Sequence, residues 1–488
     1  MSFEDMKTDE FRRQAHDLVD WMADYLAGVG DYPVRAQVSP GAIADQLPVS
    51  PPETGEAMAA ILQDFHDIVM PGMTHWQHPS FFAYFPANAS PPSVLAEMLT
   101  ATLAAQCMLW QTSPAATEME TRVLDWLRQL LGLPDGLVGV IQSTASDATL
   151  AALLMARERA TGDRANDIGL AVLGADGVRL SVYVSEEAHS SIEKGAKIAG
   201  YGRAAVRKIA ADENFAMRPE ALEEAIAADR AAGVTPACVV ATLGTTGTGG
   251  VDPLPASAAI CRREDLFFHV DAAWAGSALV LDEHRWMIEG IEAVDSISMN
   301  PHKWLLTNFD CAAHWVRDPE ALQRTFAINP SYLTSAETGE VIDYRDWGVP
   351  LGRRFRALKL WFVLRYYGAE GLKAMITDHI AWTEELADAV AAHPDFEITS
   401  ARSLALVSFR YRPRAFTGRS GEDAALDALN ERLLQTLNDS GALYLTQNKV
   451  RGRYVIRFSV GARTTTRDHV MRAWEVIQTT AESLSTDG

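Results

Sequence analysis

Two residues some thirty positions apart are placed to do chemistry: Asp271 in His269-Val270-Asp271-Ala272-Ala273-Trp274, and Lys303 in Asn300-Pro301-His302-Lys303-Trp304. Leu266-Phe267-Phe268 leads into the aspartate and Ser296-Ile297-Ser298-Met299 leads toward the lysine, so each ends an apolar, strand-like run. A lysine removed from water loses basicity and becomes a nucleophile toward an aldehyde. An acid buried nearby can pair with a basic ring nitrogen. Pyridoxal phosphate carries both groups and is held in this way, by a lysine Schiff base with an acidic partner at the pyridinium nitrogen.

Three further stretches bear on that chemistry. Ile141-Gln142-Ser143-Thr144-Ala145-Ser146-Asp147 joins a strand to a helix beginning near Ala148. Ser146 suits a helix cap. The same turn also suits an anion, because free N–H groups and the helix dipole face outward there. Thr242-Leu243-Gly244-Thr245-Thr246-Gly247-Thr248-Gly249-Gly250 follows another apolar run. It is either a flexible turn or a loop small enough to approach a flat ring. His189, in Ala188-His189-Ser190-Ser191, is either structural or stacked over such a ring, where its protonation can change near neutral pH.

The elements that must position these residues follow from periodicity. Residues 7–28 read as an amphipathic helix, with Phe11, Ala15, Leu18, Val19, Met22, Tyr25 and Leu26 at three- and four-residue steps. Pro33, Pro40, Pro48, Pro51 and Pro52 interrupt the chain before a second helix at about 55–69. From about 90 to 370 apolar runs (138–141, 180–184, 238–243, 266–270, 296–299) alternate with helical stretches. Such alternation implies βαβ units and a mostly parallel sheet, with ligands at the carboxyl ends of its strands. From about 371, long helices (371–392, 421–440) alternate with strands (404–411, 453–460), which suggests a smaller α+β domain.

Composition excludes several classes. The 488 residues call for more than one domain, and the net charge of −21, with no basic cluster, argues against nucleic acid. Cys107, Cys238, Cys261 and Cys311 have no metal-ligand spacing and read as free thiols, so no metal is expected. The start, Met-Ser-Phe-Glu-Asp-Met-Lys, has no signal-peptide pattern, and no run of about 18 apolar residues would span a membrane. A cytoplasmic protein is the expectation.

With these residues in place, the chain resembles the group II pyridoxal-phosphate decarboxylases, most of all the bacterial aromatic L-amino-acid decarboxylases. The resemblance runs over nearly the whole chain. It rests on His75–Pro79, Phe81–Pro86, Ser113–Ala115, Ile141–Asp147, Ala188–Ser191, Ala241–Thr246, His269–Trp274, Asn300–Trp304, Asp343–Trp347 and Pro350–Phe355. It implies a fold-type I enzyme: an N-terminal helical and extended segment (1–89) used in dimerisation, a large α/β domain on a mostly parallel seven-stranded sheet (90–370), and a small C-terminal α+β domain (371–488). It implies a homodimer with shared active sites, in which Lys303 forms the Schiff base, Asp271 pairs with the ring nitrogen and His189 stacks on the ring. Ala145, Ser146, Thr246, Asn300 and His302 are implied to contact the cofactor, mainly at its phosphate, and Leu351 and Gly352 to approach it from the other subunit. Tyr332 matches the tyrosine of a mobile catalytic loop at about 325–345 and is the candidate proton donor.

For the substrate, Trp76, Phe85, Pro86 and Trp110 offer an apolar, aromatic wall, although aromatics are more often core. The resemblance places Tyr84, Phe85, Pro86 and Ala87 beside the substrate side chain, together with Trp76, Met108 and His189. Met108 stands where phenylalanine is common in the family and Ala87 where threonine is common. The implied reaction is decarboxylation of an aromatic L-amino acid (dopa, tyrosine, phenylalanine, tryptophan or 5-hydroxytryptophan) to its amine. Two alternatives stand beside it. An aldehyde synthase would couple decarboxylation to oxygen-consuming deamination, but such relatives tend to replace the tyrosine or histidine retained here as Tyr332 and His189. A cofactor-binding pseudoenzyme would have lost the lysine, the aspartate or the loop tyrosine.

Overall fold

The computed structural model describes residues 5–328, 341–400, 402–416 and 421–486. Seven strands form one sheet: Val138–Gln142 (β1), Leu180–Ser185 (β2), Val206–Ile209 (β3), Thr235–Thr242 (β4), Phe267–Asp271 (β5), Ser296–Met299 (β6) and Ala312–Val316 (β7). Their order is β1-β7-β6-β5-β4-β2-β3. The β3-β2-β4-β5-β6 run is parallel throughout, and β7 is antiparallel to both β6 and β1. This is the mostly parallel seven-stranded sheet expected of a fold-type I enzyme.

β2, β5, β6 and β7 are buried along their whole length, as a sheet covered on both faces requires. Alternate side chains enter two cores. Val182, Val184 and Val240 pack with helix Ala145–Thr161 on one face. Tyr183, Val239, Phe268 and Ile297 join the larger core on the other. Two of the seven strands lie outside the sequence reading. β3, Val-Arg-Lys-Ile, is an edge strand, where charged residues are tolerated and discourage further pairing. β7, Ala-Ala-His-Trp-Val, has little β-branched character and forms because β1 and β6 pair with it on both sides.

The C-terminal part carries a second, antiparallel sheet of Phe396–Ile398 (β8), Leu406–Tyr411 (β9), Thr446–Val450 (β10) and Arg453–Ser459 (β11), in the order β10-β11-β9-β8. Helices Glu422–Asp439 and Arg467–Thr486 accompany it, giving the α+β character expected. The helix expected to begin at 371 begins earlier. Arg356–Ala392 runs as one helix broken only at Gly368 (φ 63°, ψ 180°), a backbone conformation that glycine adopts without steric cost.

Helix Thr8–Gly28 buries none of its residues and exposes Phe11, Leu18 and Val19. The second helix, Met58–Asp64, continues into a π-helical turn, Phe65–Val69. Phe81 bridges to Tyr444 and shares a small cluster with Val34 and Ala83. The segment before the large sheet is thereby fastened to the small domain. No described helix is long and apolar enough to cross a membrane.

Candidate active site

The parallel register sets the floor of a cleft. Thr242 at the end of β4 pairs with Asp271 at the end of β5, and Asp271 pairs with Ser298 on β6. Lys303 is not on a strand end. Beyond β6 the chain passes Asn300 and turns once through the short helix Pro301–Trp304, which carries it. The Asn300 N–H donates to the Ala273 carbonyl (3.0 Å), and the Lys303 N–H donates to the Asn300 carbonyl (2.9 Å), which ties this turn to the end of β5. The Asn88 side-chain amide donates to the Lys303 carbonyl (2.9 Å) and to the Gly461 carbonyl (2.8 Å).

A cavity of about 230 Å³ opens here, lined by Asp271, Lys303, His189, Ala145, Ser146, Thr246, Asn300, His302 and Phe85. Thus most of the residues assigned to cofactor contact converge. Thr144, Ser191, Thr242, Leu243, Gly244, Ala273 and Trp274 complete the lining and were not singled out in the sequence as site residues. Gly244 was legible in its motif: its φ is +73°, and a Cβ there would lie 2.6 Å from the Ala275 Cβ.

Charge is arranged tightly. Burial pushes the Lys303 amine down to about 8; Asp271 pulls it up and Arg457 pushes it down. Asp271 is buried, and its Oδ1 accepts the Ala273 N–H (3.0 Å). His302 is buried and driven to about 3, first by burial and then by neighbouring Lys303. Its Nδ1 accepts the Cys311 N–H (2.9 Å), so the neutral ring carries its proton on Nε2. His189 caps helix Ser190–Ile198, its Nδ1 accepting the Ser191 N–H (3.1 Å). That also leaves Nε2 as its donor, and burial lowers its basicity.

The helix cap is Thr144, not Ser146. Thr144 and Asp147 form a reciprocal capping box, worth about 1 kcal/mol. Ser146 is left on the first turn with its hydroxyl uncommitted to the cap. Three buried cleft atoms, Asn300 Oδ1, Thr242 Oγ1 and Trp274 Nε1, have no partner among the described residues. A helix N-terminus, two imidazole N–H donors, a lysine, the Asp271 carboxylate as acceptor and these open polar atoms form a set of donors and acceptors that fits pyridoxal phosphate.

Aromatic rings back the cleft. Phe85 stacks on Trp274 (4.3 Å between centroids) and Trp274 on Trp304 (5.3 Å), whose Nε1 donates to His379 Nδ1 (2.9 Å). The Lys303 Nζ lies 5.1 Å from the centre of the Phe85 ring. The remaining substrate-side candidates do not line this cavity. Trp76 stacks on Tyr84 (5.6 Å), and both are exposed. Pro86 packs where a Cβ on Gly461 would otherwise go. The Ala87 carbonyl accepts from Gln77, the Met108 carbonyl accepts from the Arg345 N–H, and the Trp110 indole donates to Glu118. Leu351 is exposed, and Gly352 lies against Gln106. Tyr332, with Thr334 to Gly339 of the expected loop, lies outside the described residues.

The chain matches the profile of the pyridoxal-dependent decarboxylase conserved domain over residues 40–412. It is 42% identical to tyrosine decarboxylase 4 of Petroselinum crispum, over 98% of this chain and 94% of that protein. It is also 42% identical to phenylacetaldehyde synthase of Arabidopsis thaliana, over 98% and 97%. A crystal structure of Oryza sativa TDC with PLP and tryptamine superposes with a TM-score of 0.93 at 38% identity, covering 99% of this chain and 100% of that one.

Proposed function

The chain belongs to the pyridoxal-dependent decarboxylase family, and from that premise we propose that it removes CO₂ from an aromatic L-amino acid and releases the aromatic amine. The observation that carries this reading is the meeting of Lys303, Asp271 and His189 in one cleft whose wall is the Phe85–Trp274 stack. Bound pyridoxal phosphate supplies an aldehyde that bonds an amine and a ring that accepts the electrons of the breaking bond.

The chain's own residues do the rest. Lys303, its amine pushed down to about 8, is the nucleophile for the aldehyde. Asp271 holds a proton at the ring nitrogen. Ser146, Thr246, Asn300, the His302 Nε2–H and the Ala145 end of the helix bind phosphate. His189, which lines the cleft with Nδ1 engaged by the Ser191 N–H, would lie against the ring and offer Nε2–H as a donor. Phe85 gives an aromatic side chain an apolar face and excludes water. Tyr332 delivers a proton to the substrate Cα, directly or through His189, which sets amine as the product. Trp76, Tyr84, Pro86, Ala87 and Met108 form the outer substrate rim. The active unit is a homodimer, with Leu351 and Gly352 of the partner subunit reaching the phosphate; the unburied helix Thr8–Gly28 supports this. The segments 1–89, 90–370 and 371–488 act as its three units, the Gly368 break lying beside the second boundary. Four buried free cysteines fit a reducing cytoplasm.

The test is a substrate panel. Tyrosine, phenylalanine, tryptophan, dopa and 5-hydroxytryptophan should yield CO₂ and amine, with one or more far ahead of glutamate. Turnover of glutamate above all five would overturn the aromatic assignment.

A further inference from the structure

Asp271 and Lys303 impose opposite demands on one another. The carboxylate that serves the ring nitrogen also attracts the lysine proton, and an ammonium cannot attack an aldehyde. A third group, from a different part of the chain, bears on this conflict. Arg457, on β11 of the small sheet, is buried within the molecule. Its Nε donates to the Thr246 carbonyl (2.7 Å), and one terminal nitrogen donates to the Tyr84 carbonyl. The other terminal nitrogen has no partner among the described residues. Its guanidinium carbon lies 4.3 Å from the centre of the Phe85 ring, the same ring that Lys303 Nζ approaches to 5.1 Å. Both cations reach one ring centre, so their separation is bounded by those two distances.

We propose that Arg457 is a positioning residue for Lys303: a fixed, buried positive charge against the same Phe85 ring that offsets the pull of Asp271 and keeps the lysine amine neutral and nucleophilic. This rests on Lys303 being the residue that bonds the cofactor. The partners of Arg457 in the structure are backbone carbonyls, which satisfy its N–H groups without cancelling its charge. Burial presses the guanidinium down to about 9, so it remains protonated at neutral pH. In a medium of low polarity a charge at this range acts on the amine far more strongly than it would in water.

A purely structural role is the competing account, since Arg457 also anchors the Thr246 turn and the Tyr84 backbone. Charge and anchoring separate experimentally. The full chain is stripped of cofactor, and the rate of pyridoxal phosphate capture is followed by absorbance across pH, with borohydride trapping and peptide mass to locate the modified lysine. Wild type should gain rate with rising pH, with a midpoint near about 8. Arg457→Gln should raise the midpoint by about one pH unit, giving roughly tenfold slower capture on its acid side. Arg457→Lys loses the fork that reaches both carbonyls, and burial lowers a lysine there too, so it is compared at about pH 6, where it stays charged and its capture rate should remain within about twofold of wild type. An unchanged midpoint in Arg457→Gln, or a roughly tenfold loss of capture rate at about pH 6 in Arg457→Lys, would overturn the proposal, and Arg457→Lys alone decides it if the glutamine variant does not fold. Trapping at a lysine other than Lys303 in wild type would instead overturn the reading of Lys303 itself.

Discussion

The floor and the rim of the cleft are built differently. The floor consists of Asp271, Asn300, His302 and Lys303, all at or just past the ends of β5 and β6, each fixed by a backbone hydrogen bond in the strand ends or the turn after them. The proposed rim includes Trp76 and Tyr84, exposed side chains in a turn and a bend outside the cavity lining. A charge on the floor is held by the whole sheet, so its geometry is set before any ligand arrives. Trp76 is held by ring contacts to Phe81 and Tyr84, neither of them on the large sheet, and can be exchanged without disturbing it. Reaction type should therefore track the floor, and substrate choice the rim.

The largest break expected is Lys303→Ala, which should abolish turnover and leave no borohydride-trapped cofactor on the chain. Normal decarboxylation by that variant would remove the floor from the account. Asp271→Asn should follow, with kcat down by at least about 10²-fold, the scale for losing one preorganised charge at a site of developing charge; a kcat within a factor of a few would refute its assigned role.

Gly244→Ala tests the close approach of the loop to Trp274 and Ala275. Forcing a side chain into a positive-φ position costs about 1–3 kcal/mol, and cofactor should dissociate more readily, as fluorescence titration would reveal. On the rim, Trp76→Ala should raise KM by about threefold to tenfold for the bulkier substrates with kcat kept, and move stability by less than about 1 kcal/mol. A large loss of kcat in that variant would erase the distinction between floor and rim.

The smallest effect concerns the layer behind the floor. His269 and His314 are wholly buried and pushed by burial to about 3, so both are neutral when folded. In the unfolded chain each takes a proton below about 6.5, so stability contributed by neutral burial is present above that pH and is lost progressively as pH falls toward 3. His314→Met should flatten this acid slope by up to one proton while leaving the reaction intact. Chemical denaturation at several pH values would measure it, and an unchanged slope would contradict the burial argument.

What could be read in the sequence divides along the same line. β5 and β6 were legible because their apolar runs end in charged or polar motifs, and β6 was placed to the residue. Lys303 was legible as a residue but not in its setting on a one-turn helix, since Pro301 only becomes a helix start once β6 fixes where the chain turns. Thr144 and Ser146 are both good caps locally; the choice fell to Thr144 because Asp147, three residues on, returns the bond. Asn88 and Arg457 left no local signal. They lie far from Lys303 in the chain, and only the packing of the small sheet and the Phe81–Ala87 segment against the cleft brings them there. The rim residues were legible as aromatics, but nothing in their spacing told which would face the cavity; of Trp76, Tyr84 and Phe85, Phe85 does.

The central claim is a decarboxylation that ends at the amine. Its most direct test is a sealed reaction of the cofactor-loaded protein with its best aromatic substrate, in which CO₂, amine, aldehyde, ammonia and dissolved oxygen are measured together. The account predicts CO₂ and amine in one-to-one ratio with no oxygen uptake. Aldehyde and ammonia in step with CO₂, accompanied by oxygen consumption, would contradict it.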